Sequence, residues 1–262
     1  MKLIVCIKQV PGTSKVEMDE EKGVLKRSPV DAKMNPYDLV AIEAALRVKE
    51  EKGGDVTVIS MGPPQAEEVI KEAFMMGADS GALISDMAFA GSDTLATSLT
   101  ISKGIKLLDD FDIIFCGKQT TDGDTAQVGP EISEILDIPH VTNVIEILEV
   151  KERSIIVKID AQDMILVQEI AYPCLIALDK DTFTPRLPSY RIKRNIKDKK
   201  IKQINFSSFV NLSVDDFGLK GSPTQVERIF KPEDKSEKIT VNGTSEEASE
   251  FIFNKLKELK II

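Results

Sequence analysis

"DIIFCGKQTTDGDTAQVGP", residues Asp112 to Pro130, passes from an apolar run into the amphipathic segment "EISEILDIP" and predicts a strand followed directly by a helix. The run "DIIFCG" is typical of a strand buried on both faces of a parallel sheet. In the loop, Asp122, Asp124 or Thr125 can cap the helix, and Gly123 leaves the backbone free to approach a ligand. The N-terminus of a helix also attracts phosphate. The residues alone leave two interpretations open, a phosphate cradle and an ordinary capped turn.

The same alternation of strand and helix is repeated upstream. Three apolar runs have the length of buried strands: "KLIVCIKQV" (Lys2 to Val10), "DVTVIS" (Asp55 to Ser60) and "GALIS" (Gly81 to Ser85). Helical spacing follows each of them in "NPYDLVAIEAALRVKEEKG", "PPQAEEVIKEAFMMG" and "SDTLATSLTISKGIKLL", the last with Ser92 as a plausible cap. Such alternation is typical of βαβ units. We therefore expect an α/β fold with a doubly wound, mostly parallel sheet.

The sequence changes character after Pro139. The runs "VTNVIEILEV", "SIIVKID" and "MILVQEI" predict an antiparallel ribbon or an extension of the sheet's edge, and "YPCLIALD" predicts one more buried strand. From Thr182, the proline-rich and basic stretch "TFTPRLPSYRIKRNIKDKKIK" predicts an exposed crossing segment. The end of the chain, "GTSEEASEFIFNKLKELKII", predicts an amphipathic helix with a capping box from Thr244 to Glu247.

Charge and composition exclude several classes of function. The chain of 262 residues has a formal charge of −9, which provides no net attraction to nucleic acid or to an anionic membrane. No apolar run approaches the roughly 18 to 20 residues that span a bilayer, and no secretion signal is recognisable. We therefore expect a cytoplasmic protein with no membrane insertion.

The cysteines and the histidine argue against a metal site. Cys6, Cys116 and Cys174 share no CxxC spacing and favour buried reduced thiols over metal ligands or disulfides. His140 is the only histidine and is interpreted as a turn residue. Neither a multi-histidine metal centre nor a histidine-based catalytic triad is therefore expected.

Six stretches, taken in order, carry a family resemblance: "VCIKQVP" (Val5 to Pro11), "MNPYD" (Met34 to Asp38), "VTVISMGPPQA" (Val56 to Ala66), "MGAD" (Met76 to Asp79), "DIIFCGKQTTDGDTAQVGP" and "GLKGSPT" (Gly218 to Thr224). On these motifs the chain resembles the beta, or small, subunit of electron-transfer flavoproteins along nearly its whole length. The resemblance implies an adenine-nucleotide alpha-hydrolase-like fold and a heterodimer with an alpha subunit that carries an FAD. It also implies electron exchange with an acyl-CoA or hydroxy-acid type flavin dehydrogenase.

Members of this family differ in the nucleotide that the beta subunit holds. Ordinary members hold a structural AMP, whereas bifurcating members hold a second FAD that accepts a hydride from NADH. One electron then goes to ferredoxin and the other, through the alpha-subunit FAD, to the dehydrogenase. Gly123 inside the acidic run, "TAQVGP" after it and "AGSDTLAT" (Ala90 to Thr97) resemble the bifurcating group, so FAD is expected in preference to AMP. An adenine-nucleotide-binding stress-type module is an alternative of another class.

By this resemblance, Cys6, Asn35, Asp38 and Met61 bind the adenosine side of the nucleotide, and its phosphates and ribityl chain are bound by Thr120, Asp122, Gly123, Asp124, Thr125, Ala126, Gln127, Val128 and Gly129. Simple packing is an alternative role for Cys6 and Met61, and helix capping is an alternative for Asn35 and Asp122. No catalytic side chain is expected, because the chemistry would belong to the cofactor.

The stretch "TPRLPSYRIKRN" resembles the loop with which the family docks its dehydrogenase. Tyr190 falls at the position of an aliphatic anchor, Leu187 becomes the anchor if the alignment shifts, and Arg191 begins a basic flank suited to an acidic surface. The resulting division is a nucleotide-binding domain at 1–181, a partner-recognition loop at 182–203 and an arm at 204–262. The arm is expected to pack on the alpha subunit, with packing on its own domain as the alternative.

Overall fold

The computed structural model describes residues 1–12, 17–19, 24–26, 32–108, 110–194, 196, 199–227 and 239–262. They form two compact units, Met1–Glu227 and Arg228–Ile262. Residues 195, 197 and 198 of the expected recognition loop and 228–238 of the expected arm lie outside the described residues.

The first unit alternates strands and helices before it turns to consecutive strands. In chain order its elements are β1 (Lys2–Ile7), β2 (Gln9–Pro11), β3 (Glu17–Asp19), β4 (Val24–Lys26), β5 (Ala32–Met34), α1 (Pro36–Lys52), β6 (Asp55–Met61), α2 (Glu67–Met76), β7 (Ser80–Ile84), α3 (Thr94–Ile105), β8 (Ile113–Gly117), α4 (Val128–Leu136), β9 (His140–Val150), β10 (Ser154–Asp160), β11 (Ile165–Ala171), β12 (Cys174–Leu178), α5 (Tyr190–Lys193) and β13 (Ile201–Ile204). The second unit contains α6 (Ser245–Glu258).

A nine-stranded sheet with the order β11-β10-β9-β12-β8-β1-β6-β7-β13 organises the described part of the first unit. Parallel pairing links β9, β12, β8, β1, β6, β7 and β13, and β10 runs antiparallel to both of its neighbours. The predicted α/β class with a mostly parallel, doubly wound sheet is confirmed. The ribbon β9-β10-β11 is antiparallel and also extends the edge, so both predicted alternatives hold.

Apolar side chains pack on both faces of the sheet. Along β1, Leu3 and Val5 belong to the cluster that contains α1 and α2, whereas Ile4 belongs to the cluster that contains α3 and α4. These three side chains are at most 3% exposed, and burial of each contributes roughly 1.5–3 kcal/mol to folding. The result is three layers, with two helices on each face of the sheet.

The strand order places a crevice beside β1. The chain moves from β1 through α1 to β6 on one side, and it later returns through α3 to β8 on the other side. Neighbouring parallel strands whose connections leave in opposite directions separate at their carboxyl ends, and ligands of open α/β sheets bind there. The loops after β1 and β8 flank this crevice.

Three local predictions are wrong. Asp93, and not Ser92, caps α3: the Asp93 carboxylate accepts from the Ala96 amide at 3.1 Å, because the Ser92 hydroxyl is engaged with the Phe89 carbonyl at 2.8 Å. None of the predicted residues caps α4, which begins only at Val128 after Gln127. His140 is the first residue of β9 and not a turn residue, since β9 begins its pairing with β12 there.

The compact unit continues beyond the sheet. β13 pairs in parallel with β7, and the following residues bring Phe206, Phe209 and Phe217 against Phe89, with ring centroids 5.6–6.5 Å apart. The predicted three-part division stays a prediction, but this cluster extends the core past residue 204.

The second unit is a single helix in its described part. Thr244 and Glu247 form the predicted capping box, in which the Glu247 amide donates to the Thr244 hydroxyl at 3.3 Å and the Thr244 amide donates to the Glu247 carboxylate at 2.8 Å. None of the helices in the described ranges is long and apolar enough to cross a membrane.

Candidate functional site

The floor of the crevice is formed by two cysteines on neighbouring strands. Cys6 of β1 and Cys116 of β8 are register partners and are 9% and 6% exposed. Burial, and then the charge of Asp38, raises the pKa of Cys6 to about 12. Burial, and then Cys6, also raises the pKa of Cys116. Both thiols, like that of Cys174, are buried as predicted and form no disulfide in this structure, and the described residues contain no cluster suited to a metal ion.

Asn35 connects the start of α1 to the loop after β8. It occupies the N-cap position without a side-chain cap, because its amide reaches across the crevice. Its Nδ2 donates to Asp38 Oδ1 at 3.0 Å and to the Gln119 carbonyl at 2.9 Å, while its Oδ1 accepts from the Thr121 amide at 3.3 Å. Asn35 is fully buried. The capping role considered for this side chain is therefore wrong, and its contacts hold the loop in place.

Asp38 is a buried carboxyl group that titrates near neutral pH. It is 4% exposed and accepts from the Lys8 amide at 2.7 Å. Burial raises its pKa to about 7, although hydrogen bonds from Asn35, Lys8 and Gly117 oppose the shift. Asp38 thus joins the ends of β1 and β8 to α1.

Lys8, which follows β1, spans the mouth of the crevice. Its Nζ donates to both carboxylate oxygens of Asp122, each at 2.9 Å. Burial would raise the pKa of Asp122, but the hydrogen bond and charge of Lys8 outweigh it and lower this pKa. Sequence patterns gave no sign of this contact, which joins residues 114 positions apart.

The loop from Thr120 to Gln127 has an unusual backbone. The Asp124 amide donates to the Thr120 carbonyl at 2.9 Å, and Asp124 and Ala126 adopt left-handed φ angles of 53° and 55°. Such a conformation costs about 1–2 kcal/mol for an alanine and is typical of functional loops. The Gln127 side chain provides no cap for the first amides of α4, which are those of Val128 and Gly129.

A second cleft, of about 490 Å³, adjoins this loop. It is lined by Asp93, Thr94, Leu95, Thr125, Gln127, Glu131, Pro223 and Thr224. The Glu131 carboxylate accepts from the hydroxyls of Thr94 at 3.1 Å and Ser98 at 2.8 Å. Among the lining residues, only Thr125 and Gln127 had been predicted as binding residues, although the motifs "AGSDTLAT" and "GLKGSPT" contain several of the others.

The structure brings most of the predicted site residues together. Asn35 contacts the Gln119 carbonyl and the Thr121 amide, and it also binds Asp38. Cys6 lies beside Cys116, on the strand that leads into the loop. This loop and the start of α4 contain Thr120, Asp122, Gly123, Asp124, Thr125, Ala126, Gln127, Val128 and Gly129. Met61 ends the neighbouring strand β6 and is half-buried against the core cluster of α3 and α4. Their roles in binding stay predictions.

The predicted docking residues lie elsewhere, on the segment that crosses α1 and α2. Leu187 and Tyr190 are 87% and 77% exposed, and Arg191 is exposed as well. The segment is held by hydrogen bonds from Arg186 to Glu43 at 2.8 Å and from the Ser189 amide to the Met75 carbonyl at 2.8 Å. It is therefore a fixed surface that presents apolar side chains.

Comparison with known proteins gives consistent matches. The pattern of the electron transfer flavoprotein domain matches residues 22–208. A protein of Clostridium acetobutylicum named electron transfer flavoprotein subunit beta is 43% identical over 258 residues, 98% of this chain and 98% of the relative. The caffeyl-CoA reductase-Etf complex subunit CarD of Acetobacterium woodii is 40% identical and is covered completely, as is this chain. The acryloyl-CoA reductase electron transfer subunit gamma of Anaerotignum propionicum is also 40% identical with complete coverage of both.

Proposed function

This chain belongs to the electron transfer flavoprotein family, as one of its beta subunits, and from this premise we propose that its crevice binds an FAD that accepts electrons from NADH. The observation that carries the proposal is the position of the loop 120–127, at the switch point of the sheet and before a helix that begins without a side-chain cap.

The groups around the loop fit a nucleotide phosphate. The amides of Val128 and Gly129 open the first turn of α4, where an anion is favoured by free N–H groups and by the helix dipole. Lys8 adds a positive charge at the mouth, and the space beside Gly123 is open, since even an added Cβ would meet nothing closer than 3.5 Å. The site therefore supplies donors for a phosphate.

The adjoining cleft favours a ligand longer than AMP. Thr125 and Gln127 belong both to the loop and to the lining of the cleft, so a ligand with its phosphates at the loop can extend into it. An FAD held there would supply hydride acceptance from NADH and release of single electrons to ferredoxin and to the alpha-subunit FAD. The chain itself positions the ligand: Asn35 and Asp38 fix the loop, while Thr94 and Glu131 line the cleft.

The partners follow from the same premise. The chain pairs with an alpha subunit, on which the exposed Phe251, Ile252 and Phe253 of α6 pack. Leu187 and Tyr190 dock a flavin dehydrogenase. The acyl-CoA class is favoured for its substrate because two relatives are named for the reductases of caffeyl-CoA and acryloyl-CoA.

The test is to coexpress this chain with an alpha subunit, release the cofactors by denaturation and quantify FAD and AMP per heterodimer. Two FAD and no AMP are expected, together with reduction of the flavin by NADH. One FAD with one AMP would replace the proposal by a structural nucleotide. Thr125→Glu should empty the site because it places a negative charge beside the phosphates, whereas Thr184→Glu on the exposed crossing segment should leave the cofactor content unchanged.

A further inference from the structure

The Lys8 side chain, which binds Asp122, is also placed to contact a ligand in the crevice. Lys8 is the first residue after β1, and its backbone amide is fixed by the buried Asp38 at 2.7 Å. Its side chain is 44% exposed and extends over the crevice to Asp122, which is 26% exposed. An ammonium group has three N–H donors, and Asp122 accepts two of the hydrogen bonds. The charge of Lys8 is thus held at the mouth of the crevice by a flexible stem.

The positive charge of Lys8 lies beside a loop that is otherwise negatively charged. The loop carries two carboxylates, Asp122 and Asp124, in a chain whose formal charge is −9, so an incoming phosphate meets repulsion. Asp124 accepts from the Gln119 side chain, a neutral donor. Lys118, near the same strand end, is already paired with Asp179 at 3.3 Å. Among the ion pairs of the described residues, Lys8–Asp122 is the one that reaches this loop.

We propose that Lys8 is a phosphate-binding residue and that a bound phosphate takes the Lys8 ammonium over from Asp122. The inference rests on the proposed function and adds a residue and an exchange of partners to it. A phosphate carries at least the charge of a carboxylate and offers more acceptor oxygens, so it competes well for Lys8. Asp122 is partly exposed, and water can solvate its carboxylate after the exchange.

Titration of adenosine, AMP and ADP into the nucleotide-depleted heterodimer separates the role of the phosphates from that of the base. The ratio of the adenosine and ADP dissociation constants defines the phosphate contribution. Lys8→Met keeps the aliphatic stem and removes the charge. It should lower the phosphate contribution by about 10- to 100-fold, the usual effect of losing a charge-assisted hydrogen bond, and change the affinity for adenosine by less than about 2-fold.

Asp122→Asn is the second substitution to be tested. It frees Lys8 from its ion pair, so ADP should bind more tightly while adenosine binds as before. In the Lys8→Met background the same substitution should raise the affinity for ADP by a smaller factor, because it then removes only the repulsion between Asp122 and the phosphates and no longer frees Lys8. Exposed ion pairs contribute little to folding, so both variants should fold, and thermal unfolding verifies this.

The outcomes separate the two proposals. If the unsubstituted heterodimer binds none of the three compounds, the proposed function itself fails. If it binds them and Lys8→Met weakens adenosine and ADP equally, Lys8 has only a structural role and the inference alone is overturned. A loss of ADP affinity in Asp122→Asn as large as in Lys8→Met would show instead that Asp122 contacts the ligand directly.

Discussion

The side chains of Asn35 and Asp38 are joined by a hydrogen bond of 3.0 Å in the buried first turn of α1. The same Asn35 amide also binds the backbone of the loop after β8, so one side chain connects a buried carboxyl group to the loop of the crevice. Stability and loop geometry therefore depend on the same few atoms.

Asn35→Ala should destabilise the first unit by about 2–4 kcal/mol, because it leaves Asp38, the Gln119 carbonyl and the Thr121 amide each without one partner. Urea unfolding measures the loss. Gln168→Ala, which removes an exposed amide side chain from β11, should change the stability by less than about 0.5 kcal/mol. Equal effects of the two substitutions would contradict the role of Asn35.

The titration of Asp38 should make stability depend on pH. Its pKa is about 7 in the folded chain and 3.8 in the reference state, so the folded state retains the proton longer. The contribution of this group is full below about pH 4 and is lost as the pH rises through 7. Unfolding free energies of Asp38→Asn and the unsubstituted chain should diverge over this interval, in favour of the variant, by up to about 4 kcal/mol. Parallel pH profiles would exclude this account.

Gly117→Ala should be destabilising, by about 1–3 kcal/mol. An added Cβ would lie 2.5 Å from Tyr37 Cβ and 2.6 Å from Asp38 Oδ1, and the helix start cannot retreat without breaking the Asn35 contacts. Gly123→Ala is the matched control, because its added Cβ would lie 3.5 Å from Thr120 Oγ1. Thermal unfolding of the two variants provides the measurement. An unchanged melting temperature in Gly117→Ala would show that Tyr37 and Asp38 can move to accommodate the added Cβ.

Arg186→Ala should release the crossing segment. Arg186 donates to Glu43 at 2.8 Å and to Glu50 at 2.6 Å, and the Glu43 side chain is 5% exposed. Burial would raise the pKa of Glu43, but Arg186 and Arg47 hold it below its usual value. Loss of Arg186 should therefore cost about 2–4 kcal/mol and speed hydrogen exchange in residues 183–190.

Arg191→Ala is the control for this substitution, since Arg191 is exposed and has no ion pair among the described residues. It should change neither stability nor exchange. Unaltered exchange in Arg186→Ala would mean that other contacts, such as the Ser189–Met75 hydrogen bond, suffice to hold the segment.

The sheet could be predicted because its strands are continuous apolar runs. "LIVCI" in β1 and "CLIAL" in β12 are buried at every position, which local sequence reveals. β13 escaped prediction, since "IKQI" is short and lies in a lysine-rich stretch. Its place beside β7 depends on pairing with residues 120 positions away, which no local pattern encodes.

The site shows the same limit. Turn chemistry and family resemblance assigned the loop 120–127 and Asn35 to a binding site, and this assignment stays a prediction. The cap of α3 was misplaced by one residue because serine and aspartate are equally good caps. Lys8 was missed because a lone lysine after a strand has no distinctive spacing. Its contact with Asp122 arises only from tertiary proximity.

The crossing segment leaves the carboxyl end of β12 and re-enters the sheet at the amino end of β13, so both of its ends are set by one rigid frame. The hydrogen bonds that hold it, from Arg186 to Glu43 and from the Ser189 amide to the Met75 carbonyl, connect it to α1 and α2 and do not involve the loop 120–127. Substitutions on its outer surface can therefore accumulate without disturbing the crevice. Under the proposed function, in which this segment docks the dehydrogenase and the crevice holds the nucleotide, partner choice can change in evolution without loss of the ligand, and grafting residues 182–194 between homologues should transfer partner choice alone.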